Sequence, residues 1–218
     1  SYTFSDGTVK KAGTMGTVGT TSFFPSKNLG CYGDGGAIFT NDDNLAHTIR
    51  GIVNHGMYRR YYHDVVGVNS RLDSVQAAIL RIKLPLLDTY CEARRNAARF
   101  YNKAFKSIDS IVTPTTQVCR SICENCNCHV FHQYTLKITN GQRDALHKYL
   151  IDNSIPNAIY YPVALHRQKA YADERYNEED FEVTNKLIKT VISLPMHTEF
   201  DEEQLTFITN RILDFFNK

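Results

Sequence analysis

The sequence of 218 residues has no tryptophan, only three methionines and six prolines, and no excess of one charge, since its formal net charge is +2. No apolar run approaches the roughly 20 residues of a membrane-spanning helix. The balanced charge indicates neither nucleic acid nor a membrane surface, so we expect neither among its partners. The first residues show no basic segment followed by an apolar core, so no secretory signal is visible and we expect a cytoplasmic location.

Apolar residues are plentiful despite the lack of tryptophan. Hydrophobic residues make up 42% of the chain, including 13 tyrosines and 12 phenylalanines, and charged residues make up 22%. This composition is typical of a globular protein with a substantial core, and the length allows one large domain or two modest ones. The six cysteines are expected to be reduced thiols, because no signal directs the chain to an oxidising compartment.

The segment 20–40 organises the rest of the chain around a single lysine. A β-prone run ends at Ser22, Lys27 follows five residues later in a turn, and four glycines lie within residues 30–36 before a second β-prone run at 37–40. A lysine held at the rim of a sheet can form an imine with a carbonyl cofactor such as pyridoxal phosphate (PLP). The hydroxyl of Ser22 and the amides of a glycine-rich turn suit a phosphate. On spacing alone, a surface turn with an ordinary lysine remains the alternative.

Hydrophobic spacing predicts the elements on either side of this segment. Short strands are expected over 9–15 and 17–24. A helix is expected to begin near Asp42, whose side chain can cap it, and to end at Gly56.

A long helix is predicted next, and Asp73 and Gln76 have the spacing of a capping box. Pro85 removes a backbone N–H and is expected to kink or break this helix. The apolar face before the proline consists of Leu72, Val75, Ile79 and Ile82, and the pattern resumes with Leu86, Tyr90, Ala93, Ala97, Tyr101 and Phe105.

From about residue 108 the pattern indicates a compact α+β domain. Alternation predicts a strand over 130–139 and a second one over 155–161 that ends at Pro162. Amphipathic spacing predicts three helices, over 142–153, 183–192 and 200–216. Acidic residues at 201–203 suit the positive N-terminal end of the last helix.

Residues 57–68 are predicted to be a polar loop in which three tyrosines lie among arginine and histidine side chains. Such a loop is either a solvated surface segment or a flap that offers cations and stacking rings to a nucleotide diphosphate or a uronic acid. Composition leaves both interpretations open.

Several segments, in one order from about residue 16 to the C-terminus, carry a family resemblance. They are SFFPSKNLGCYGDGG at 22–36, NHG at 54–56, GVNSRLD at 67–73, QAAIL at 76–80, HQYT at 132–135, YYPVALH at 160–166 and LPMH at 194–197. In these segments the chain resembles the DegT/DnrJ/EryC1/StrS family of PLP-dependent nucleotide-sugar aminotransferases.

The resemblance implies an α/β protein of aspartate-aminotransferase fold type I. Residues 1–84 would be the C-terminal part of the PLP-binding large domain, 85–107 an interdomain helix and 108–218 the small α+β domain. Family members are longer, and their earlier segment supplies most of the large sheet, the aspartate that pairs with the pyridine nitrogen and the residues that stack on the ring. We therefore expect that these residues alone do not form a complete PLP site.

The resemblance also implies roles for individual residues. Lys27 would be the Schiff-base lysine, Ser22 would bind the cofactor phosphate, and Asn69 would reach that phosphate across a homodimer interface, so that both subunits build each site. The guanidinium of Arg71 suits a carboxylate, although an arginine at a helix start also pairs with neighbouring acids. The residues expected to bind substrate are Arg60, Tyr61, Arg71, Tyr160, Tyr161 and His166, and no metal is implied.

The implied activity is transfer of an amino group from L-glutamate to a keto carbon of a UDP-linked sugar, for surface polysaccharide or glycan. The resemblance is closest to the branch acting on UDP-2-acetamido-2-deoxy-3-oxo-glucuronate, through residues 60–63, Asn69 and Arg71. Tyr160 departs from the histidine of that branch, which leaves the keto position open between C3 and C4. Two alternatives stay open: a non-catalytic remnant with a structural or regulatory role, and a sugar dehydratase, a group in which histidine replaces the lysine.

Four cysteines within ten residues, Cys119, Cys123, Cys126 and Cys128, raise the question of a zinc site. Paired CxxC knuckles are missing, and the last two cysteines are too close in sequence for easy tetrahedral coordination. We expect reduced loop thiols here, with zinc as the alternative.

Overall fold

A computed structural model describes residues 1–4, 6–115 and 129–217 of the chain. By the clustering of its contacts, the chain divides into two units, Ser1–Tyr90 and Cys91–Lys218. In the described part of the chain, no helix is long and apolar enough to cross a membrane.

The strands of the first unit form three separate antiparallel pairs. The pairs are β1 (Tyr2–Thr3) with β2 (Val9–Lys10), β3 (Gly19–Ser22) with β4 (Gly36–Phe39), and β5 (Met57–Arg59) with β6 (Tyr62–His63). The strands predicted at 9–15 and 17–24 are thus present but shorter. The prediction of a loop over 57–68 is wrong for its first half, because residues there pair as a hairpin. Tyr61, in the turn of this hairpin, has a φ of 69°.

The first helix, α1 (Asp43–Val53), has the ends that its sequence predicts. The side chain of Asp42 accepts hydrogen bonds from the amides of Asn44 and Leu45, which are otherwise unpaired at a helix start. Gly56 follows the helix with a φ of 76°, and its amide donates to the carbonyl of Gly51 at 2.8 Å.

The long helical stretch is divided at the proline, as predicted. Helix α2 (Ser74–Lys83) leads into a single 3-10 turn (Leu84–Leu86) that contains Pro85, and α3 (Leu87–Phe105) follows.

Helix α2 begins directly after Asp73, as predicted, but the predicted capping box and apolar face are wrong. Asp73 makes no side-chain cap, and the side-chain amide of Gln76 is used elsewhere: its Oε1 accepts from the backbone N–H of Tyr32 at 2.8 Å. The buried residue of α2 is Leu80, whereas Val75 and Ile82 are 69% and 73% exposed.

The second unit packs helices against a three-stranded antiparallel sheet of order β7 (Ile111–Val112), β8 (Tyr134–Ile138) and β9 (Val191–Leu194). Its other helices are α4 (Arg143–Asp152), α5 (Glu182–Thr190) and α6 (Glu202–Phe216), with 3-10 turns at Leu165–Arg167, Lys169–Tyr171 and Glu178–Phe181. Large side chains from α3, β8, α4, β9 and α6 form the core, among them Tyr101, Phe105, Tyr134, Leu136, Leu146, Leu150, Ile192 and Ile212.

Two helix predictions for this unit are confirmed, whereas two element boundaries and one predicted strand are wrong. α4 and α6 lie where predicted, and Asp201 and Gln204 form a capping box at the start of α6. The first predicted strand begins only at Tyr134. The segment 155–161 forms an isolated bridge, between Ala158 and Ser193, instead of a strand. The helix predicted over 183–192 ends at Thr190, because the β-branched residues that follow pair with β8 instead.

Candidate active site

Lys27 lies in a turn that closes on itself between β3 and β4. We call residues 23–35 the lysine turn. At its base the amide of Phe23 donates to the carbonyl of Gly35 at 2.7 Å, and the amide of Cys31 donates to the carbonyl of Phe23 at 2.8 Å. The amide of Lys27 donates to the carbonyl of Phe24 at 2.9 Å, and the residue is half-buried. The lysine is therefore part of a hydrogen-bonded turn.

Ser22 is the last residue of β3 and lies opposite Gly36 in the register of the hairpin. Its Oγ accepts a hydrogen bond from the amide of Phe24 at 3.2 Å, and the residue is exposed. A hydroxyl that accepts one bond still has its own proton to donate. Ser22 can therefore donate to an oxygen anion at the end of the hairpin where the lysine turn begins.

Gly30 in the lysine turn and Gly36 directly after it allow close backbone approach. A Cβ on Gly30 would lie 2.5 Å from the carbonyl oxygen of Pro25, and a Cβ on Gly36 would lie 2.7 Å from that of Thr21. Both distances are shorter than any real contact of a Cβ atom. The glycine-rich composition, which suggested a phosphate-binding turn, is thus accounted for by tight packing.

Three residues that sequence reasoning did not assign to the site hold the lysine turn. Lys83 Nζ donates to the carbonyl of Gly30 at 2.8 Å, Gln76 accepts from the amide of Tyr32, and the buried thiol of Cys31 donates to carbonyls within the turn. The signal available in the sequence was the seven-residue spacing of Gln76 and Lys83, which places both on one face of a helix.

Asn69 and Arg71 lie in the extended segment before α2. Asn69 forms a bridge with Asn54, and Arg71 Nε donates to Asn69 Oδ1 at 3.2 Å. The two exposed side chains therefore lie on the same side of the chain, as the two-residue spacing predicts. The guanidinium contacts an amide oxygen rather than a neighbouring acid.

Asn69 and Arg71 line a groove of about 1070 Å³ in the first unit, together with residues of the β3–β4 hairpin and of α1, including Thr21, Ile38 and Arg50. Ser22 and Lys27 do not line this groove. Asp34 and Gly35, at the end of the lysine turn, do line it, so the structure brings the end of the turn, but not Ser22 or Lys27, into one cavity with the Asn69–Arg71 pair.

Arg60 and Tyr61 form the turn of the β5–β6 hairpin. The guanidinium of Arg60 lies 4.8 Å from the centre of the Tyr61 ring, and that of Arg59 lies 3.5 Å from the centre of the Tyr62 ring. Tyr61 is 76% exposed. The hairpin thus presents cations stacked on aromatic rings at the surface.

The second unit contains the other three predicted substrate residues. Tyr160 and Tyr161 are exposed, with ring centres 5.6 Å apart. His166 differs from them: only 14% of its side chain is exposed, its ring stacks on Phe181 at 4.2 Å, and its Nε2 lies 3.2 Å from Glu178 Oε2. His166 is thus engaged by residues of its own segment.

The carboxylate of Glu178 lies beside the side chains of Arg167 and His166. Hydrogen bonds from Arg167 above all, and from His166, hold the pKa of this carboxyl below its usual range. The group therefore stays ionised near neutral pH and can hold His166 in place.

No cluster of three or more metal-ligating side chains occurs within residues 1–4, 6–115 and 129–217. The described residues do not include Cys119, Cys123, Cys126 and Cys128. The expectation of reduced thiols there, with zinc as the alternative, therefore stays a prediction from the sequence. Cys31 and Cys91 are both buried.

A model described as the DegT/DnrJ/EryC1/StrS aminotransferase family matches residues 3–213. The "Pleiotropic regulatory protein" of Geobacillus stearothermophilus is 44% identical, over 95% of this chain and 54% of the relative. The "UDP-2-acetamido-2-deoxy-3-oxo-D-glucuronate aminotransferase" of Pseudomonas aeruginosa is also 44% identical, over 91% of this chain and 52% of the relative. The chain thus spans about half the length of the curated relatives it matches.

Solved structures show the same similarity. The crystal structure of a DegT DnrJ EryC1 StrS aminotransferase from Brucella abortus superposes with a TM-score of 0.81 at 40% identity, covering 94% of this chain and 52% of that one.

Proposed function

This chain belongs to the DegT/DnrJ/EryC1/StrS aminotransferase family, with fold type I, and we propose that it functions as part of a PLP-dependent nucleotide-sugar aminotransferase. The reaction would move an amino group from L-glutamate to a keto carbon, C3 or C4, of a UDP-linked sugar. The observation that carries the proposal is the lysine turn, in which a hydrogen-bonded turn holds Lys27 beside the end of β3, where Ser22 has a proton to donate.

The family depends on PLP, and the residues of the lysine turn fit that cofactor. Ser22 would bind the phosphate through its hydroxyl proton, and Lys27 would hold the aldehyde end through Nζ. When bound, PLP supplies an electron sink that stabilises negative charge at the carbon next to the donor's amine.

The chain's own residues then bind the reactants and move the proton. Lys27 Nζ would take the proton from the α-carbon of the donor and deliver it to C4′ of the cofactor, which requires part of the amine population to be uncharged. Arg71 would bind the carboxylate of a uronic acid through its planar fork. Tyr160 and Tyr161 would pack against the sugar. His166 would also contact the sugar, in an orientation fixed by Glu178 and Phe181.

We propose a homodimer in which Asn69 and the β5–β6 hairpin with Arg60 and Tyr61 serve the site of the partner. Asn69 and Arg71 line a groove without Lys27, which fits a role in a second subunit's site. The apolar side chains of Val75 and Ile82 are more than two-thirds exposed, and contact with a second copy would bury them.

The substrate class rests on the relatives. The Pseudomonas aeruginosa relative is named for a UDP-linked 3-oxo uronic acid, which supports a UDP-sugar here. We further propose that the product is used in surface polysaccharide or glycan. We place the reaction in the cytoplasm, where thiols such as those of the buried Cys31 and Cys91 stay reduced.

A second candidate is a regulatory role, because the Geobacillus stearothermophilus relative is named as a regulatory protein. Borohydride reduction of the full-length protein incubated with PLP, followed by peptide mass spectrometry, separates the two. The aminotransferase proposal expects a pyridoxyl group on Lys27 and amination of a UDP-keto sugar with L-glutamate. The Lys27→Ala variant should lose both but still bind PLP without a covalent link. A pyridoxyl group on another residue, or none, would contradict the proposal.

A further inference from the structure

The side chain of Lys83 is directed to the lysine turn rather than to an acid. Its Nζ donates to the carbonyl of Gly30 at 2.8 Å and lies 5.0 Å from the centre of the Tyr32 ring. Lys83 is half-buried at the end of α2. A hydrogen bond from a charged donor is about twice as strong as one between neutral groups, so this contact restrains Gly30 strongly.

Gln76 holds the same turn two residues further along. Its Oε1 accepts from the amide of Tyr32 at 2.8 Å. Its Nε2 lies 3.0 Å from the place that a Cβ on Gly33 would take, so the amide packs directly on that glycine. Gln76 and Lys83 are seven residues apart, about two turns of α2, and therefore contact the lysine turn from one face of one helix.

The lysine turn is also closed internally. The thiol of Cys31, fully buried, donates to the carbonyls of Phe23 and Gly33, each at 3.0 Å. These bonds fix the shape of the turn but leave its position relative to α2 undetermined. The contacts from Lys83 and Gln76 restrain the position of the turn relative to α2.

We propose that Lys83 and Gln76 are positioning residues that hold the lysine turn against α2 and thereby keep Lys27 in place for its reaction. The inference rests on the proposed role of Lys27. A reacting group that moves by about 1 Å loses on the order of 100-fold in rate, so a firm attachment of the turn has a direct consequence for turnover. Neither residue touches a reacting atom through its own side chain.

The test uses two pairs of variants. Lys83→Met removes the donor to Gly30, which Lys83→Arg keeps. Gln76→Met removes the acceptor for the Tyr32 amide, which Gln76→Glu keeps. Hydrogen exchange is measured on the full chain without added cofactor. In the methionine variants the amides of residues 27–33 should exchange about tenfold faster or more, while those of α1 keep their wild-type rates, which shows that the fold is retained. The conservative variants should stay within about threefold of wild type.

Kinetics of the loaded enzyme give the second readout. In the methionine variants kcat should fall about tenfold or more, with KM for both substrates within about twofold of wild type. Arg81→Met is the matched control, since Arg81 is an exposed cation of the same helix, and it should change neither exchange nor kcat.

The inference would be overturned if the amides of the lysine turn exchanged at wild-type rates in Lys83→Met and Gln76→Met. It would also be overturned if their exchange were accelerated equally in Arg81→Met. Failure of Lys83→Arg and Gln76→Glu to restore kcat would also overturn it. If wild-type protein does not attach PLP at Lys27, the aminotransferase proposal fails, and the exchange data then still show whether α2 holds the turn.

Discussion

The hydroxyl of Tyr134 in β8 donates a hydrogen bond to Oδ1 of Asn102 in α3 at 2.6 Å. The Tyr134 ring is fully buried and lies 4.9 Å from the ring of Tyr101. Burial, with a smaller contribution from Tyr101, raises the pKa of Tyr134 far above its usual value, so the hydroxyl stays protonated and continues to donate at any physiological pH. This bond joins a core helix of the second unit to its central strand.

Tyr134→Phe removes that donor while keeping the ring. We expect the free energy of unfolding to fall by about 1 kcal/mol, because Asn102 loses its buried partner. Urea titration followed by circular dichroism measures the change. Tyr171→Phe, at a residue that is 62% exposed, is the control and should change stability by less than about 0.5 kcal/mol. Equal effects of the two substitutions would contradict the role given to the buried hydroxyl.

Gly30→Ala should distort the lysine turn, since the new Cβ would lie 2.5 Å from the carbonyl oxygen of Pro25. We expect a loss of about 1–3 kcal/mol in stability and weaker attachment of PLP to Lys27. Thermal unfolding and borohydride trapping measure the two effects. At Gly16, where the nearest atom is 3.8 Å from the Cβ position, the same substitution should leave trapping unchanged. Wild-type trapping in Gly30→Ala would show that the turn tolerates the methyl group.

Glu92 should contribute stability that depends on pH. Hydrogen bonds from Arg99 and then Arg95 hold the pKa of this carboxyl below its usual value of 4.5. A carboxyl with a lowered folded-state pKa stabilises the protein above its unfolded pKa, and this contribution is lost as the pH falls through the folded pKa. Glu92→Gln should therefore reduce stability at pH 7 by up to about 1 kcal/mol, because the group is partly exposed and screened.

Urea unfolding from about pH 7 down to about pH 3 measures this contribution. The difference in free energy of unfolding between wild type and Glu92→Gln should disappear near the acid end of the series. Glu174→Gln, at an exposed position, should show no such pH dependence. A constant difference at all pH values would contradict the assigned ion pairs.

Arg71→Lys keeps the charge but loses the planar fork that matches a carboxylate. If Arg71 binds a uronic acid, KM for a UDP-keto-uronate should rise about tenfold, with trapping of PLP on Lys27 unchanged. Steady-state kinetics with UDP-keto-uronate and UDP-keto-hexose measure the selectivity. Arg50→Lys changes another arginine of the same groove and should leave KM unaltered; an equal rise there would remove the specific role of Arg71.

Removal of metal should not affect the protein, because the spacing of Cys119, Cys123, Cys126 and Cys128 is poor for one tetrahedral site. Chelator-washed protein should contain far less than one zinc per chain and unfold at the same temperature as untreated protein. Stoichiometric zinc, or a lower unfolding temperature after chelation, would favour the zinc site.

Local signals predicted the elements whose ends depend on their own residues. Asp42 caps α1, acidic residues begin α6, and Pro85 separates α2 from α3, each as the sequence indicates. The hairpin around the lysine was equally visible, because Ser22 and the glycines that follow it are spaced for a strand, a turn and a strand.

Predictions failed where partners distant in sequence decide the structure. Gln76 has the spacing of a capping residue, yet its amide contacts Tyr32, 44 residues away. The spacing of residues 183–192 is helical throughout, yet Val191 and Ile192 pair with β8, since a central strand offers them both hydrogen bonds and burial.

By itself, the sequence determined the family, the place of Lys27 in a turn between two strands, and the residues that cap and interrupt the helices, because these depend on neighbours within a few positions. Only the tertiary structure decided what holds that turn, through the contacts of Gln76 and Lys83, and that His166 is engaged by Glu178 and Phe181. Such contacts join groups that are distant along the chain, and their distances are set by packing that no local pattern encodes.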